Sequence, residues 1–144
     1  MLVQLTADQI AKHWGIIRNA VIECAPPLSK VTENSLNRIL ELLLMGNMHC
    51  WLYFIEEKAV AVVVTTFYHD FPTGSQDLLI YALWGKGGLP NDAYQNGYVT
   101  LMRFALAHNC NKMYAFTQVP MLVKLAKQFG AELQYYVGLP IKEV

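Results

Sequence analysis

A glycine-rich loop is the part of the sequence that most suggests ligand chemistry. The stretch "LWGKGGLPNDAYQNGY" runs from Leu83 to Tyr98 and lies between an apolar run and a helical pattern. Backbone N–H groups at the start of a helix can bind a phosphate. However, Lys86 lacks the flanking residues of a Walker motif, and Pro90 stands where a dinucleotide fingerprint needs glycine or alanine. The loop is therefore not predicted to bind ATP or NAD.

The cysteines and histidines do not form a recognisable metal or disulfide pattern. The three cysteines are widely spaced within apolar segments, and the four histidines have no ligand spacing with them. We therefore expect no metal site, and we expect reduced, buried thiols of a cytoplasmic protein. The residues concerned are Cys24, Cys50, Cys110, His13, His49, His69 and His108.

Length and composition restrict the classes of protein to which this chain can belong. The 144 residues suit one domain, spanning 1–144, and 11 basic and 11 acidic residues cancel. Without a basic patch we expect no nucleic-acid binding, and no apolar run is long enough to predict a membrane span. Charged residues are only 15% of the chain. Either a large sheet is buried, or a second copy or a protein partner covers part of the surface.

Hydrophobic periodicity gives the order of the elements that must position the loop. Thr6 and Gln9 predict a capping box, and helical spacing then continues to Cys24. A second helix is predicted from Thr32 to Gly46, and Asn109 and Gly130 are predicted to follow the ends of two later helices. Runs of β-branched and aromatic residues predict the strands, which are "HCWLYFIE", "AVAVVVTTF", "DLLIYALW", "KMYAFT" and "ELQYYV".

The predicted order is helix, helix, strand, strand, strand, helix, strand, helix, strand. The first two strands are separated only by "EK" and should form an antiparallel hairpin. A strand–helix–strand unit follows, and it requires a parallel pair. The sequence therefore predicts an α/β domain with a mixed sheet and helices on both faces.

Two stretches in this order carry a resemblance to a known family. The phrases "LMRFALAHNCNKMYAFT" and "PMLVKLAKQFGAELQYY" resemble the cofactor-motif helix and strand and the closing helix of the GNAT acetyltransferase superfamily. The resemblance covers about residues 6–137 and rests chiefly on element order. It implies a single-domain GNAT-like fold that transfers an acetyl group from acetyl-CoA to an amine. The low charge also resembles that of divergent GNAT-like proteins encoded by tailed phages.

The resemblance implies a cofactor site at the loop. The pantetheine arm would lie where the strand ending at Leu83 and Trp84 diverges from "KMYAFT". Gly85, Gly87 and Gly88 precede the position at which the family's glycines are expected, which falls near Asp92 and Tyr94. Asp92 is interpreted as a helix cap. The implied cofactor-binding residues are Leu83, Trp84, Gly85, Lys86, Asn96 and Gly97, and the alternative is a turn followed by a capped helix.

The resemblance also implies acid–base chemistry, although the positions of the family's usual Asn and Tyr hold Val119 and Ala126. His69, Asp70 and Asp77 are the candidates for removing a proton from the amine. His69 is the most attractive of them because an imidazole ordinarily titrates near neutral pH, and the alternative is that it is a solvated loop histidine. Tyr81 and Tyr94 are the candidates for the acid.

Three hypotheses about function follow. The first is a divergent N-acetyltransferase that acts on an amine of a small molecule or a protein. The second is a GNAT-like binding or assembly protein without catalytic activity. The third is an unrelated α/β interaction domain with the same element order.

Overall fold

The computed structural model describes residues 1–27, 29–87 and 89–144. The elements, in chain order, are β1 (Leu2–Gln4), α1 (Ala7–Lys12), α2 (Trp14–Cys24), α3 (Glu33–Leu44), β2 (Met48–Ile55), β3 (Lys58–Asp70), β4 (Ser75–Gly85), α4 (Asn91–Ala107), β5 (Met113–Ala115) and α5 (Pro120–Gln128). Within the described residues the five strands form one sheet in the order β1-β2-β3-β4-β5. The pairs β1–β2, β2–β3 and β3–β4 are antiparallel, and the pair β4–β5 is parallel. The predicted mixed sheet is confirmed.

The first predicted helix is two helices. Thr6 caps α1 through the predicted capping box with Gln9. His13 then leaves helical geometry with φ −101° and ψ 14°, and α2 begins at Trp14. The apolar spacing could not reveal this break, because Ile10 and Ile17 on either side of it are buried in the same core.

The β2–β3 hairpin is confirmed, with its turn one residue earlier than predicted. Glu56 and Glu57 form the turn with φ values of 49° and 64°. Two positive φ values match the twist of the flanking strands, and hairpins favour such turns for that reason. The turn is therefore set by pairing of the strands rather than by a typical turn sequence.

The predicted ends of α4 and α5 are confirmed. Asn109 has φ 58°, and the N–H of Cys110 donates to the carbonyl oxygen of Ala105 at 2.9 Å. Gly130 has φ 86° and ends α5 in the same way. In both places a residue in the left-handed region lets the chain turn back and pair the last helical carbonyl groups.

The sheet is covered on both faces, as predicted. One cluster of buried residues joins α1, α2 and α3 to one face, and it includes Ile17, Leu36, Cys50, Val62 and Ala82. A smaller cluster joins α4 to the other face, and it includes Trp51, Val63 and Leu101. Burial on both faces accounts for much of the high apolar content of the chain.

The last predicted strand, "ELQYYV", is wrong. The described residues 131–144 belong to no helix or strand, and most of their side chains are exposed. A strand needs a neighbouring edge, and β5 offers only three residues, Met113–Ala115, of the predicted "KMYAFT". No helix in the described chain is long and apolar enough to cross a membrane.

Candidate functional site

The strands β4 and β5 diverge, which creates an opening in the sheet. They pair at three positions, Leu78 with Met113, Leu79 with Tyr114 and Ile80 with Ala115. β4 continues to Gly85, and within the described residues nothing pairs with it beyond Ile80 on the side away from β3. Backbone groups of residues 81–85 are thus left for another extended molecule to pair with. The divergence expected from the resemblance is confirmed.

A β-bulge at Tyr81 lies at the start of this opening. Val64 of β3 pairs with Ala82 and Thr65 pairs with Ile80, so Tyr81 is an extra residue in β4. Tyr81 and Ala82 both contact the cluster on the α2 side, whereas Ile80 contacts the α4 side. A bulge bends a strand and redirects its side chains. Here it puts the Tyr81 side chain on the α2 side at the first residue of the unpaired backbone.

The two helices that follow the diverging strands enclose a groove. β4 leads into α4 and β5 leads into α5, and Phe129, which follows α5, stacks on Tyr98 of α4 with ring centroids 4.4 Å apart. The groove has a volume of about 240 Å³ and is lined by Asn91, Tyr94, Met121, Lys124, Leu125 and Gln128. Ligands of α/β sheets typically bind beyond the carboxyl ends of the strands, where this groove lies.

Lys124 is the groove residue that the sequence did not indicate. It is the only lysine or arginine among the described residues that line the groove. Helical spacing assigned α5 its apolar residues and left Lys124 as one of several surface lysines. Only the packing of α5 beside Tyr94 of α4 distinguishes it.

The glycine-rich loop is built chiefly by packing. A Cβ atom on Gly85 would lie 2.8 Å from Cδ1 of Leu89, whereas one on Gly87 would meet nothing within 4 Å. The backbone N–H of Lys86 donates to the Val60 carbonyl oxygen at 3.0 Å, and the Lys86 side chain is exposed. Gly88 lies outside the described residues. A side chain at position 85 would thus require the end of the Leu89 side chain to shift, and the Lys86 ammonium stays accessible.

The start of α4 carries both a favourable and an unfavourable feature for an anion. Pro90 is the N-cap and provides no side-chain hydrogen bond. The interpretation of Asp92 as the cap is wrong, because Asp92 lies within the first turn. N–H groups at a helix start attract an anion, but the Asp92 carboxylate opposes it.

Asn96 and Gly97 lie further along α4. The side-chain oxygen of Asn96 accepts a hydrogen bond from the backbone N–H of Leu2 at 3.0 Å, so it attaches β1 to α4. A Cβ atom on Gly97 would meet nothing within 4 Å. Asn96 therefore already has a structural partner.

The proposed acid–base residues are not brought together. His69 pairs in register with Gln76, and Asp77 pairs with Tyr68, so His69 and Asp77 point to opposite faces. His69 lines an open polar cavity of about 530 Å³ with Thr73, Gly74, Ser75, Gln76, His108, Asn109 and Asn111. This cavity is larger than the groove, but it lies at the opposite end of β4. We regard the groove as the better candidate because the helices that line it, α4 and α5, directly follow the strands β4 and β5 that diverge.

Asp77, Tyr81 and Tyr94 have different surroundings. Asp77 is buried, and its carboxylate lies 3.9 Å from the Lys112 ammonium. Burial raises the pKa of Tyr81, so its phenol keeps its proton at neutral pH. Tyr94 lines the groove between α4 and α5. By strand alternation Asp77 and Tyr81 share the α2 face of β4, whereas His69 does not.

The cysteines are free thiols, as predicted. Cys50 is buried, and burial raises the pKa of its thiol to about 12. The thiolate is the nucleophilic form of cysteine, so Cys50 is a poor nucleophile at neutral pH. Cys24 and Cys110 are half-buried.

The chain is similar to known proteins in its fold and not in its sequence. No family model matches the chain, and no curated protein sequence matches it significantly. The structure is similar to an aminoglycoside acetyltransferase from an uncultured soil metagenomic sample, solved in complex with sisomicin. The TM-score is 0.74 and the identity 14%, and the match covers 99% of this chain and 96% of that one.

Two further solved structures have the same architecture. The enzyme AAC(6')-Iy, in complex with a CoA bisubstrate analogue, matches with a TM-score of 0.74 and 14% identity over 100% of this chain and 98% of that one. A ribosomal-protein-alanine N-acetyltransferase from Brucella melitensis matches with a TM-score of 0.70 and 11% identity over 99% and 98%. These similarities, together with the diverging β4 and β5, show that the chain has the fold of the GNAT acetyltransferases.

Proposed function

We propose that this protein is an N-acetyltransferase that uses acetyl-CoA as the acetyl donor and an amine as the acceptor. The observation that carries the proposal is the unpaired backbone of residues 81–85 in β4, next to the bulge at Tyr81. An extended amide-containing arm can pair with such an edge as an added strand does. Neighbours with this fold have been crystallised with CoA and with a CoA bisubstrate analogue, which supports the same choice of ligand.

The residues around the opening suit acetyl-CoA. The backbone from Leu83 to Gly85 would pair with the pantetheine arm. The ammonium groups of Lys86 and Lys124 would face the phosphates, because one is exposed after β4 and the other lines the groove. These two cations compensate for the Asp92 carboxylate and for the family glycines that the chain lacks.

The chemistry proposed for the residues of this chain is the removal of a proton from the amine and the donation of a proton to the departing thiolate. Acetyl-CoA supplies an activated acetyl group: the amine nitrogen forms a bond to the acetyl carbon, and the carbon–sulfur bond breaks. Tyr81 would donate a proton to the departing thiolate, since its phenol is protonated at neutral pH. Asp77 is our first candidate to accept the amine proton because it shares a face with Tyr81, and His69 is the second.

Calorimetric titration with acetyl-CoA tests the binding step. We expect binding in the micromolar range, weakened by Lys124→Ala and unchanged by Lys127→Ala, a control on the same helix outside the groove. Absence of binding at millimolar acetyl-CoA would overturn the proposal and return the chain to the hypothesis of a binding or assembly protein.

Release of free CoA thiol tests the transfer step. The acceptors should include aminoglycosides and a peptide with an N-terminal alanine, because the names of the neighbours mention both classes. We expect thiol release with at least one amine, and hydrolysis at the same rate without amine would contradict an acetyltransferase.

A further inference from the structure

Four aromatic rings form a connected row beside the point where β4 and β5 begin to diverge. The ring centroids of Tyr68 and Tyr114 lie 6.2 Å apart, those of Tyr114 and Phe116 lie 5.7 Å apart, and those of Phe116 and Tyr136 lie 5.3 Å apart. Tyr68 is 53% exposed and Phe116 is 39% exposed. Among the described residues, none of these rings belongs to the cluster that α1, α2 and α3 bury against the sheet. We call these four rings the aromatic row.

The aromatic row lies on the same face of the sheet as Tyr81. Tyr68 of β3 pairs in register with Asp77 of β4, and Tyr114 of β5 pairs with Leu79 of β4. Paired residues share a face and side chains alternate along a strand, so all four point to the side on which Tyr81 contacts the α2 cluster. Because β4 lies between β3 and β5, the rings of Tyr68 and Tyr114 meet over β4.

Phe116 stands at the start of the opening between β4 and β5. Ala115 of β5 makes the last pairing of that strand, with Ile80 of β4. Phe116 and Tyr81 are therefore the first residues of the two diverging chains. The aromatic row thus leads across β4 to the residue proposed as the acid, and an acceptor whose amine lies beside Tyr81 would have its body against these rings.

The charges around the aromatic row suit one ammonium group rather than several. Strand alternation places the carboxylates of Asp70 and Asp77 on this face of β3 and β4. Oδ2 of Asp70 accepts a hydrogen bond from Oγ1 of Thr73 at 2.6 Å, and the Asp77 carboxylate lies 3.9 Å from the Lys112 ammonium. That ammonium also lies 5.8 Å from the centre of the Tyr114 ring. The face therefore lacks the several free carboxylates that would match the many ammonium groups of an aminoglycoside.

We propose that the acceptor is a small primary amine that carries one aromatic ring and one positive charge. The proposal rests on the acetyltransferase function proposed above and names the substrate class of that site. The aromatic group of the acceptor would pack against Tyr114 and Phe116, and its amine would lie beside Tyr81. Aromatic rings attract one another in offset and edge-to-face arrangements, and their faces attract ammonium groups. The aromatic row thus offers favourable contacts to both parts of such an amine.

Binding of model amines in the absence of acetyl-CoA tests the aromatic row directly. 2-Phenylethylamine and 2-cyclohexylethylamine have the same chain and the same charge, and only the first has an aromatic ring. An NMR titration should give a Kd for 2-phenylethylamine that is lower by about threefold or more, with shifts in the ring signals of Tyr114 and Phe116. Equal Kd values for the two amines would overturn the proposal. Tighter binding of an aminoglycoside at these rings would overturn it as well.

Ring variants test whether the aromatic row is the binding site. Phe116→Ala should raise the Kd of 2-phenylethylamine about threefold to tenfold, whereas Phe116→Tyr, which keeps a ring, should not. Tyr68→Ala, at a more exposed position of the row, gives a second readout. The matched control is Phe71→Ala, because Phe71 is 93% exposed and makes no ring contact within the described chain. An unchanged Kd in both Phe116→Ala and Tyr68→Ala would overturn the proposal.

Release of CoA thiol separates this inference from the proposed function. With acetyl-CoA present, Phe116→Ala should raise the KM for 2-phenylethylamine and leave kcat within about twofold, because the ring holds the acceptor and takes no part in the bond changes. If no amine releases thiol while 2-phenylethylamine still binds at the aromatic row, the proposed activity is overturned and the binding site is supported. If an aminoglycoside or an alanine peptide is acetylated with a higher kcat/KM than 2-phenylethylamine, the activity is supported and this substrate class is overturned.

Discussion

Nδ1 of His49 lies 3.1 Å from Oγ1 of Thr65, and both side chains are buried on the face of the sheet that α4 covers. Nε1 of Trp51 donates to the same Oγ1 at 3.0 Å. The threonine hydroxyl can therefore accept from Trp51 and donate to a neutral His49. The rings of Phe67 and Phe104 pack edge-on against the imidazole, with centroids 4.8 and 5.0 Å away.

The His49 environment predicts loss of stability in mild acid. Burial and the nearby His108 lower the pKa of His49 below 6.5, so the unfolded chain binds a proton more readily than the folded chain. The free energy of unfolding should be highest above pH 6.5 and should fall as the pH drops through the lowered pKa. Urea unfolding between pH 5 and 8 should show this slope. It should flatten in His49→Asn but not in His69→Asn, an exposed control.

Removal of the Thr65 hydroxyl should destabilise the fold. Thr65→Val leaves Trp51 Nε1 and His49 Nδ1 without their buried partner, at a cost of about 1–3 kcal/mol. Chemical denaturation measures the difference. Thr66→Val is the matched control, because that side chain is half-buried and makes one weak hydrogen bond, to the Asn47 carbonyl oxygen at 3.4 Å. Equal losses in the two variants would contradict the role of the buried pair.

The close approach of Leu89 to Gly85 can be tested by a rescue experiment. Gly85→Ala should lower stability by about 1 kcal/mol because the new methyl group overlaps Cδ1 of Leu89. Gly87→Ala should change stability little, since that position has open space around it. In the Leu89→Ala background Gly85→Ala should cost less. A similar loss in both backgrounds, measured by thermal unfolding, would point to backbone strain instead.

Burial predicts that Cys50 is unreactive in the folded protein. Its thiol pKa of about 12 leaves almost no thiolate at pH 8. A thiol reagent should modify Cys50 only after denaturation, which mass spectrometry of the labelled peptide can detect. Rapid labelling of Cys50 in the native protein would mean that α2 or α3 opens readily from the sheet.

The role proposed for Tyr81 predicts that its removal lowers turnover and leaves the binding of acetyl-CoA unchanged. If it protonates the departing thiolate, Tyr81→Phe should lower kcat about 100-fold or more. The Kd for acetyl-CoA should stay within about twofold, because the backbone of residues 81–85 is retained. Tyr53→Phe, on the α4 face, is the control. An unchanged kcat in Tyr81→Phe would remove this residue from the mechanism.

Local signals in the sequence predicted much of the fold. The α4 end at Asn109 and the α5 end at Gly130 were predictable because few residues adopt positive φ. Alternation and apolar runs located β2, β3 and β4. β1 escaped notice because three residues are too short to show a period, and Asn96 holds it from a position 94 residues away in the chain.

The candidate site was less predictable because it also depends on contacts between residues that are far apart in the chain. The bulge at Tyr81 depends on how β3 and β4 align, and the groove position of Lys124 depends on how α5 packs beside α4. Neither relationship leaves a pattern within one element. The segment 131–144 does carry a strand pattern, but pairing also requires an edge in the right place.

The order of strands in the sheet follows their order in the chain. β2, β3 and β4 meet through short turns, so their pairing closes only small loops. The pairing of β4 with β5 must instead close a loop that contains all of α4, and loop closure costs more entropy as the loop lengthens. The opening proposed to hold the cofactor therefore lies at a junction that should form late in folding, after the β2–β4 meander.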